Sequence, residues 1–106
     1  MKTSEDQLTI GNKKFSSRLF TGTGKYPNLA VMKASLLRSK SQIVTVAIRR
    51  VQALEAGHKG LMETISWSDF WMLPNTAGCA NAEEAIRVAR LGRELAKVAG
   101  QEDNNF

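Results

Sequence analysis

Short apolar runs alternate along this chain with longer stretches whose apolar residues return every three or four positions. The breaks between them fall on glycine, proline and asparagine. Leu8-Thr-Ile10 and Lys14-Phe15 flank Gly11-Asn12, a two-residue turn signal, so the pattern predicts a β-hairpin with a type I′ turn. Leu19-Phe-Thr21 reads as a short strand ending in Gly22-Thr-Gly24, where glycine's backbone freedom lets the chain turn sharply. Pro27 suits the first turn of a helix. Leu29, Met32 and Leu36, with Val31 and Leu37 beside them, form a mostly apolar face that runs to about Arg38.

Ile43-Val-Thr-Val-Ala-Ile48 is the strongest strand signal, apolar on both faces apart from Thr45, as in a parallel strand covered on both sides. Arg49 and Arg50 end it, and residues 52–59 read as a loop with Gly57 and Gly60 as breakers. Leu61-Met-Glu-Thr-Ile65 fits a helical turn. Trp71-Met-Leu73 fits a third strand stopped by Pro74. Asn81 then looks like an N-cap with Glu84 three residues on. Ala85, Val88, Ala89, Gly92, Leu95, Ala96 and Ala99 line the packed side of the following helix, and Glu83 and Arg87 are spaced for an ion pair. Gly100 ends it, and Gln101-Glu-Asp-Asn-Asn105 reads as a polar connector.

Strands alternating with helices imply a parallel sheet joined by crossovers. The fold class expected is α/β: a fragment of a parallel β/α barrel of the TIM type, about the first three βα units preceded by a β-hairpin, with residues 1–106 as the N-terminal part of one domain. Eight strands close such a barrel, and its chemistry sits at strand C-terminal ends. Three strands leave an open sheet edge, a liability for edge-to-edge association.

Composition is ordinary, with 42% hydrophobic and 24% charged residues. Cys79 is the single cysteine and His58 the single histidine, so neither an internal disulfide nor a Cys/His zinc site can form. No apolar run reaches the roughly 20 residues of a membrane helix. Met1-Lys-Thr-Ser-Glu-Asp-Gln7 lacks the apolar core of a secretory signal. The net charge of +5 divides as +6 over residues 1–40, zero over 41–80 and −1 over 81–106. The basic residues are scattered over turn and helix-face positions without interleaved aromatics, which argues against nucleic-acid binding.

Candidate chemistry gathers after the strands. Gly22-Thr-Gly-Lys25 lacks the earlier glycine of a Walker motif, since Leu19 stands there, and Tyr26 and Pro27 break a dinucleotide pattern. It reads as a tight turn at a barrel mouth, with direct ligand contact by Thr23 or Lys25 as the second reading. Arg49 and Arg50 fit either bidentate binding of a phosphate or carboxylate, or ion pairing with an acid on a neighbouring strand. Asn75 and Thr76 fit either a substrate contact or a turn satisfying its own backbone. Cys79 reads as a small packed residue. Trp67, Phe70 and Trp71 read as packing between barrel wall and helix. No metal or organic cofactor site is indicated.

Phe20-Thr-Gly-Thr-Gly-Lys-Tyr26, Ile43-Val-Thr-Val-Ala-Ile-Arg-Arg-Val51, Leu73-Pro-Asn-Thr-Ala-Gly-Cys79 and Ala82-Glu-Glu-Ala85 together resemble the thiazole synthases of thiamine biosynthesis, in the family's order and spacing from about Leu8 to Phe106. The ending Gly100-Gln-Glu-Asp-Asn-Asn-Phe106 looks most like cyanobacterial members. The resemblance implies a β/α-barrel transferase of the cytoplasm or plastid stroma. Such an enzyme condenses 1-deoxy-D-xylulose 5-phosphate with dehydroglycine and with sulfur from the thiocarboxylate of a sulfur-carrier protein. It implies that carrier and further copies of the enzyme as partners.

The resemblance also implies that the imine-forming lysine, and the glutamate two residues later, follow directly after Phe106 in a run of valine, lysine, leucine and glutamate. Catalytic residues are therefore expected beyond the chain, leaving Thr23, Arg49, Asn75 and Thr76 as candidates for the active-site rim. Lys25 in a turn and Lys97 on a polar helix face do not replace the lysine, which needs a desolvated or cation-neighboured site. Ser39-Lys40 stands where members usually have Ser-Gly, a lysine in a position suited to the left-handed conformation. A binding or assembly module built on the half-barrel surface is the alternative to a part of an enzyme.

Overall fold

The computed structural model describes residues 6–54 and 59–106, so His58 and Gly57 lie outside the described residues. Strands β1 (Leu8–Ile10) and β2 (Lys13–Phe15) form the expected antiparallel hairpin, with Ile10 opposite Lys13. Of the two turn residues only Gly11 has a positive φ, +59°. That is the requirement of a type II′ turn and not of type I′, which needs both.

Three parallel strands follow in the order β3-β4-β5: β3 (Phe20–Thr21), β4 (Ile43–Ala47) and β5 (Trp71–Asn75). Helix α1 (Leu29–Ser39) joins the first two. The short helices α2 (Ile48–Gln52) and α3 (Leu61–Thr64) lie between the second and third, and α4 (Ala82–Val98) follows the last. Asn28 caps α1, accepting from the Val31 N–H at 2.8 Å, which leaves Pro27 outside the helix. Lys40 ends α1 at φ +60°, ψ +19°, its N–H on the Leu37 carbonyl. The left-handed position inferred at Ser39-Lys40 is therefore real, and a lysine fills it.

Register fixes the faces. Phe20, Ile43 and Trp71 are level, as are Thr21, Val44 and Met72, and neighbours alternate sides along each strand. Val44, Val46 and Met72 point into a buried core with Met32 and Leu36 of α1, Ile48, Leu61, Ile65, Phe70, and Val88 and Ala96 of α4. The opposite face carries Phe20, Ile43, Thr45, Ala47, Trp71, Leu73 and Asn75. Phe20 there is 41% exposed and Thr45, Ala47, Leu73 and Asn75 are half-buried, whereas Ile43 is buried and Trp71 lies under Lys13 and Phe106. The helices thus cover one side of the sheet, an arrangement compatible with the first units of a β/α barrel.

Several boundaries differ from the pattern's expectation. The β4 run stops at Ala47, and Ile48 turns into α2, so Arg49 and Arg50 sit on a helical turn and not at a strand end. Pro74 does not stop β5, which continues to Asn75. The Trp71 N–H reaches back to the Gln42 carbonyl at 2.7 Å, so alternation turns the donor-less Pro74 nitrogen to the outward edge, where a proline costs no ladder bond. Ala89, expected on the packed side of α4, is exposed. The buried line there is Val88, Gly92 and Ala96.

Trp71 does not pack between wall and helix either. It stands on the opposite face, under the Lys13 ammonium, 4.1 Å from the ring centroid, and edge-on to Phe106. The polar connector is not a solvated linker, because Gln101 and Asn104 are buried against β5.

Candidate functional site

Parallel pairing brings the C-terminal ends of β3, β4 and β5 side by side, and each candidate rim residue is positioned by the loop that leaves one of them. After β3, Thr23 is buried and its hydroxyl donates to the Thr45 carbonyl of β4 at 3.0 Å. That bond ties the turn to the next strand. The left-handed residue of this turn is Lys25, at φ +68°, and neither Gly22 nor Gly24. Lys25 is exposed.

Arg49 reaches across from α2 to the segment after β5. Its Nε lies 3.5 Å from Glu84 Oε1 in the first turn of α4, with the two side chains 43% and 26% exposed. This partner is an acid on a helix, whereas the sequence left open an acid on a neighbouring strand or a bound anion. The guanidinium lies over Gly78, where a Cβ would come within 3.0 Å of Nη1. Glu84 is a node. Its backbone N–H donates to Asn81 Oδ1 at 2.8 Å, and its Oε2 accepts from the Ala80 N–H at 3.3 Å. The expected cap is present, with the reach-back falling one residue earlier than in a standard capping box. Arg50 is exposed on α2.

Asn75 ends β5 and accepts from the Ala77 N–H at 3.0 Å, an Asx turn. The Thr76 carbonyl accepts from the Cys79 N–H at 3.2 Å, and Cys79 packs partly buried against the core. Of the lysines weighed, Lys97 is paired with Glu94 at 3.4 Å on the exposed side of α4. Among the described residues, no three His, Cys, Asp or Glu side chains converge as metal ligands. No helix among them is long and apolar enough to cross a membrane.

Two concavities compete as ligand space. One, of about 700 Å³, runs along the exposed flank of α4 from Asn81 and Glu84 past Arg87 and Leu91. The other, of about 360 Å³, opens on the uncovered sheet face between Phe20, Leu73, Ile10, Asp103 and Phe106. Neither is lined by Thr23, Arg49, Asn75 or Thr76. The second lies toward the amino-terminal ends of the strands, beside the hairpin turn and Phe20, the first residue of β3, whereas ligands of parallel α/β sheets bind beyond the carboxyl ends of strands.

Thr23, Arg49, Asn75 and Thr76 lie at the carboxyl end of the sheet, where the sequence pattern expected them. Sequence reasoning missed Glu84 as the partner of Arg49, and it missed the burial of Gln101 and Asn104. No local signal marks those two, because a polar run after a helix looks alike whether it is solvated or folded back.

A parallel βα sheet with helices over one face and loops gathered at its carboxyl ends defines an α/β protein. The particular family follows from comparison. A family model described as thiazole biosynthesis protein ThiG matches residues 9–100. The chain is 70% identical over 101 residues to the thiazole synthase of Parasynechococcus marenigrum (strain WH8102), covering 95% of this chain and 37% of that one. It is 69% identical over 106 residues to the thiazole synthase of Prochlorococcus marinus (strain NATL2A), covering 100% and 40%. To the thiazole synthase of Synechococcus sp. (strain WH7803) it is 70% identical over 104 residues, covering 98% and 38%. The chain belongs to the thiazole synthase family of thiamine biosynthesis and spans about two fifths of the length of these relatives.

Proposed function

We propose that this chain supplies the first three βα units of a β/α-barrel thiazole synthase. In that role it forms one side of the site where 1-deoxy-D-xylulose 5-phosphate, dehydroglycine and a carrier-protein thiocarboxylate are joined into thiazole phosphate. The observation that carries the reading is the coincidence of near 70% identity with a parallel sheet whose loops gather at one end and whose helices all lie on one face.

The covalent step belongs to a lysine beyond Phe106. Its amine adds to the sugar ketone carbon, water leaves, and a C=N bond forms, with a glutamate two residues later moving the protons. Residues 1–106 then frame and bind rather than react. Thr23, Asn75 and Thr76 line the rim, and Arg49 holds the loop after β5 against α2. The chain by itself is inactive in this scheme, and the sulfur carrier and further enzyme copies are its partners.

The test is an assay for thiazole phosphate with all three substrates, run on residues 1–106 and on the same residues continued by the remaining length of a cyanobacterial relative. Turnover by the continued protein alone is expected. Turnover by residues 1–106 above a no-protein control overturns the inactive-alone part. No turnover by a folded continued protein overturns the whole reading.

A further inference from the structure

Residues 101–106 form a hydrogen-bonded clamp on the outward edge of β5. Gly100, at φ +93°, turns the chain out of α4. The Gln101 N–H then closes on the Ala96 carbonyl at 2.8 Å and the Gly100 N–H on that of Lys97 at 2.9 Å, a Schellman ending. Gln101 and Asn104 follow at 5% and 3% exposure.

The Met72 N–H donates to Gln101 Oε1 at 3.1 Å. Asn104 Nδ2 donates to the Met72 carbonyl at 2.8 Å and to Gln101 Oε1 at 2.9 Å. Gln101 Nε2 donates to the carbonyls of Trp67 and Phe70 at 3.0 and 2.8 Å. The last amide oxygen, Asn104 Oδ1, accepts from the Phe106 N–H at 2.8 Å. All four amide heteroatoms are used, so two side chains connect the Met72 backbone to the Phe106 backbone. A fully satisfied buried network of this kind specifies one arrangement, because any slip leaves a buried polar group unpaired.

The consequence lies in which way Phe106 faces. Its ring packs edge-on against Trp71, with centroids 5.7 Å apart, and against Phe15 at 6.0 Å. Trp71 is on the face of the sheet away from the helices, opposite to Met72. Phe106 therefore stands on that same face. Side chains alternate along a strand, and a slip of one residue turns every one of them to the other side.

We infer that Gln101 and Asn104 are positioning residues: their amide network at Met72 fixes Phe106 on the face away from the helices, so that in a chain continuing from there as a strand the second and fourth residues face the reaction space. This rests on the proposed function, which puts the imine lysine second and the glutamate fourth after Phe106. Both then point inward together. A slip of one residue turns both towards the helices.

The experiment uses the thiazole synthase in which residues 1–106 run on into the remaining length. Asn104→Asp keeps the shape and the acceptor for the Phe106 N–H but loses both donations from Nδ2. Borohydride reduces the imine to a stable amine on the lysine, and mass spectrometry follows its formation against sugar phosphate concentration. Thermal unfolding is recorded in parallel. The half-saturating sugar phosphate concentration is expected to stay unchanged while the limiting trapping rate falls roughly tenfold to a hundredfold, the effect of misplacing a reacting group by about 1 Å.

A folded N104D protein that traps at the parent rate overturns the inference and leaves the proposed function standing. If N104D does not fold, Asn104→Ser, which gives up the same donations without adding charge, is read by the same two outcomes. Absence of trapping in the folded parent overturns the proposed function, and the inference with it.

Discussion

Gly92 of α4 lies so close to Pro74 of β5 that a Cβ built on the glycine would stand 2.8 Å from the proline Cβ and 3.2 Å from Ile48 Cγ1. The helix rests on the strand through this contact, and neither neighbour has a flexible end that can give way. Gly92→Ala is therefore expected to destabilise the fold by about 1–3 kcal/mol through overpacking, against the roughly 1 kcal/mol that alanine gains in a free helix. Urea unfolding measures the difference. The double variant with Pro74→Ala should recover part of the loss, and strictly additive effects would show that the contact is not responsible.

Lys40 holds a left-handed φ of +60° at the end of α1. A side chain in that conformation is strained and glycine is not, so Lys40→Gly is expected to raise stability by about 0.5–1 kcal/mol. Lys40→Ala removes the charge but keeps the Cβ and should bring no gain. Equal unfolding midpoints for K40G and K40A would assign any effect to charge.

Arg49 and Glu84 are both partly exposed at 3.5 Å. Solvent screening limits such a pair to about 0.5 kcal/mol, with a further contribution from the Arg49 stem over Gly78. Arg49→Ala should leave the fold intact and lower stability by about 1 kcal/mol or less. Because the guanidinium is turned to the loop after β5, the variant in a full-length thiazole synthase should keep its KM for the sugar phosphate. A folded R49A protein with a severalfold higher KM would restore the anion-binding reading.

Trp71 Nε1 is buried with no hydrogen-bond partner among the described residues, beneath Lys13 and beside Phe106. Trp71→Phe gives up ring area and much of the cation–π contact but also removes an unsatisfied donor worth about 1–3 kcal/mol. The two effects oppose, so the net change is expected within about 1 kcal/mol of zero, whereas Trp71→Ala should cost about 3–5 kcal/mol. Denaturant unfolding monitored by far-UV dichroism separates the two variants.

The outward edge of β5 bears on solution behaviour. An exposed edge invites pairing, yet at Met72 both backbone groups are held by Gln101 and Asn104, and Pro74 has no donor to offer. Residues 1–106 should therefore associate less on size exclusion than the Gln101→Ala variant, which frees the Met72 N–H. Association of both proteins alike would show that another surface is responsible.

Local chemistry along the chain was enough to determine the order of the strands and the two long helices and the caps at Asn81 and Gly100, and the motif pattern was enough for the left-handed position of Lys40 and the family. Each of these depends on contacts within a few residues, or on motifs that survive in order. Tertiary structure alone decided that Ile48 leaves the sheet to start α2, that β5 continues through Pro74, and that Trp71 faces away from the helices. A proline is tolerated or not according to which edge it meets, and an aromatic packs on whichever face the register gives it. The same holds for Arg49 meeting Glu84, and for two buried amides holding Met72 from thirty residues away. Hydrogen bonds over such separations leave no periodicity in the sequence, because only the folded backbone brings donor and acceptor within reach.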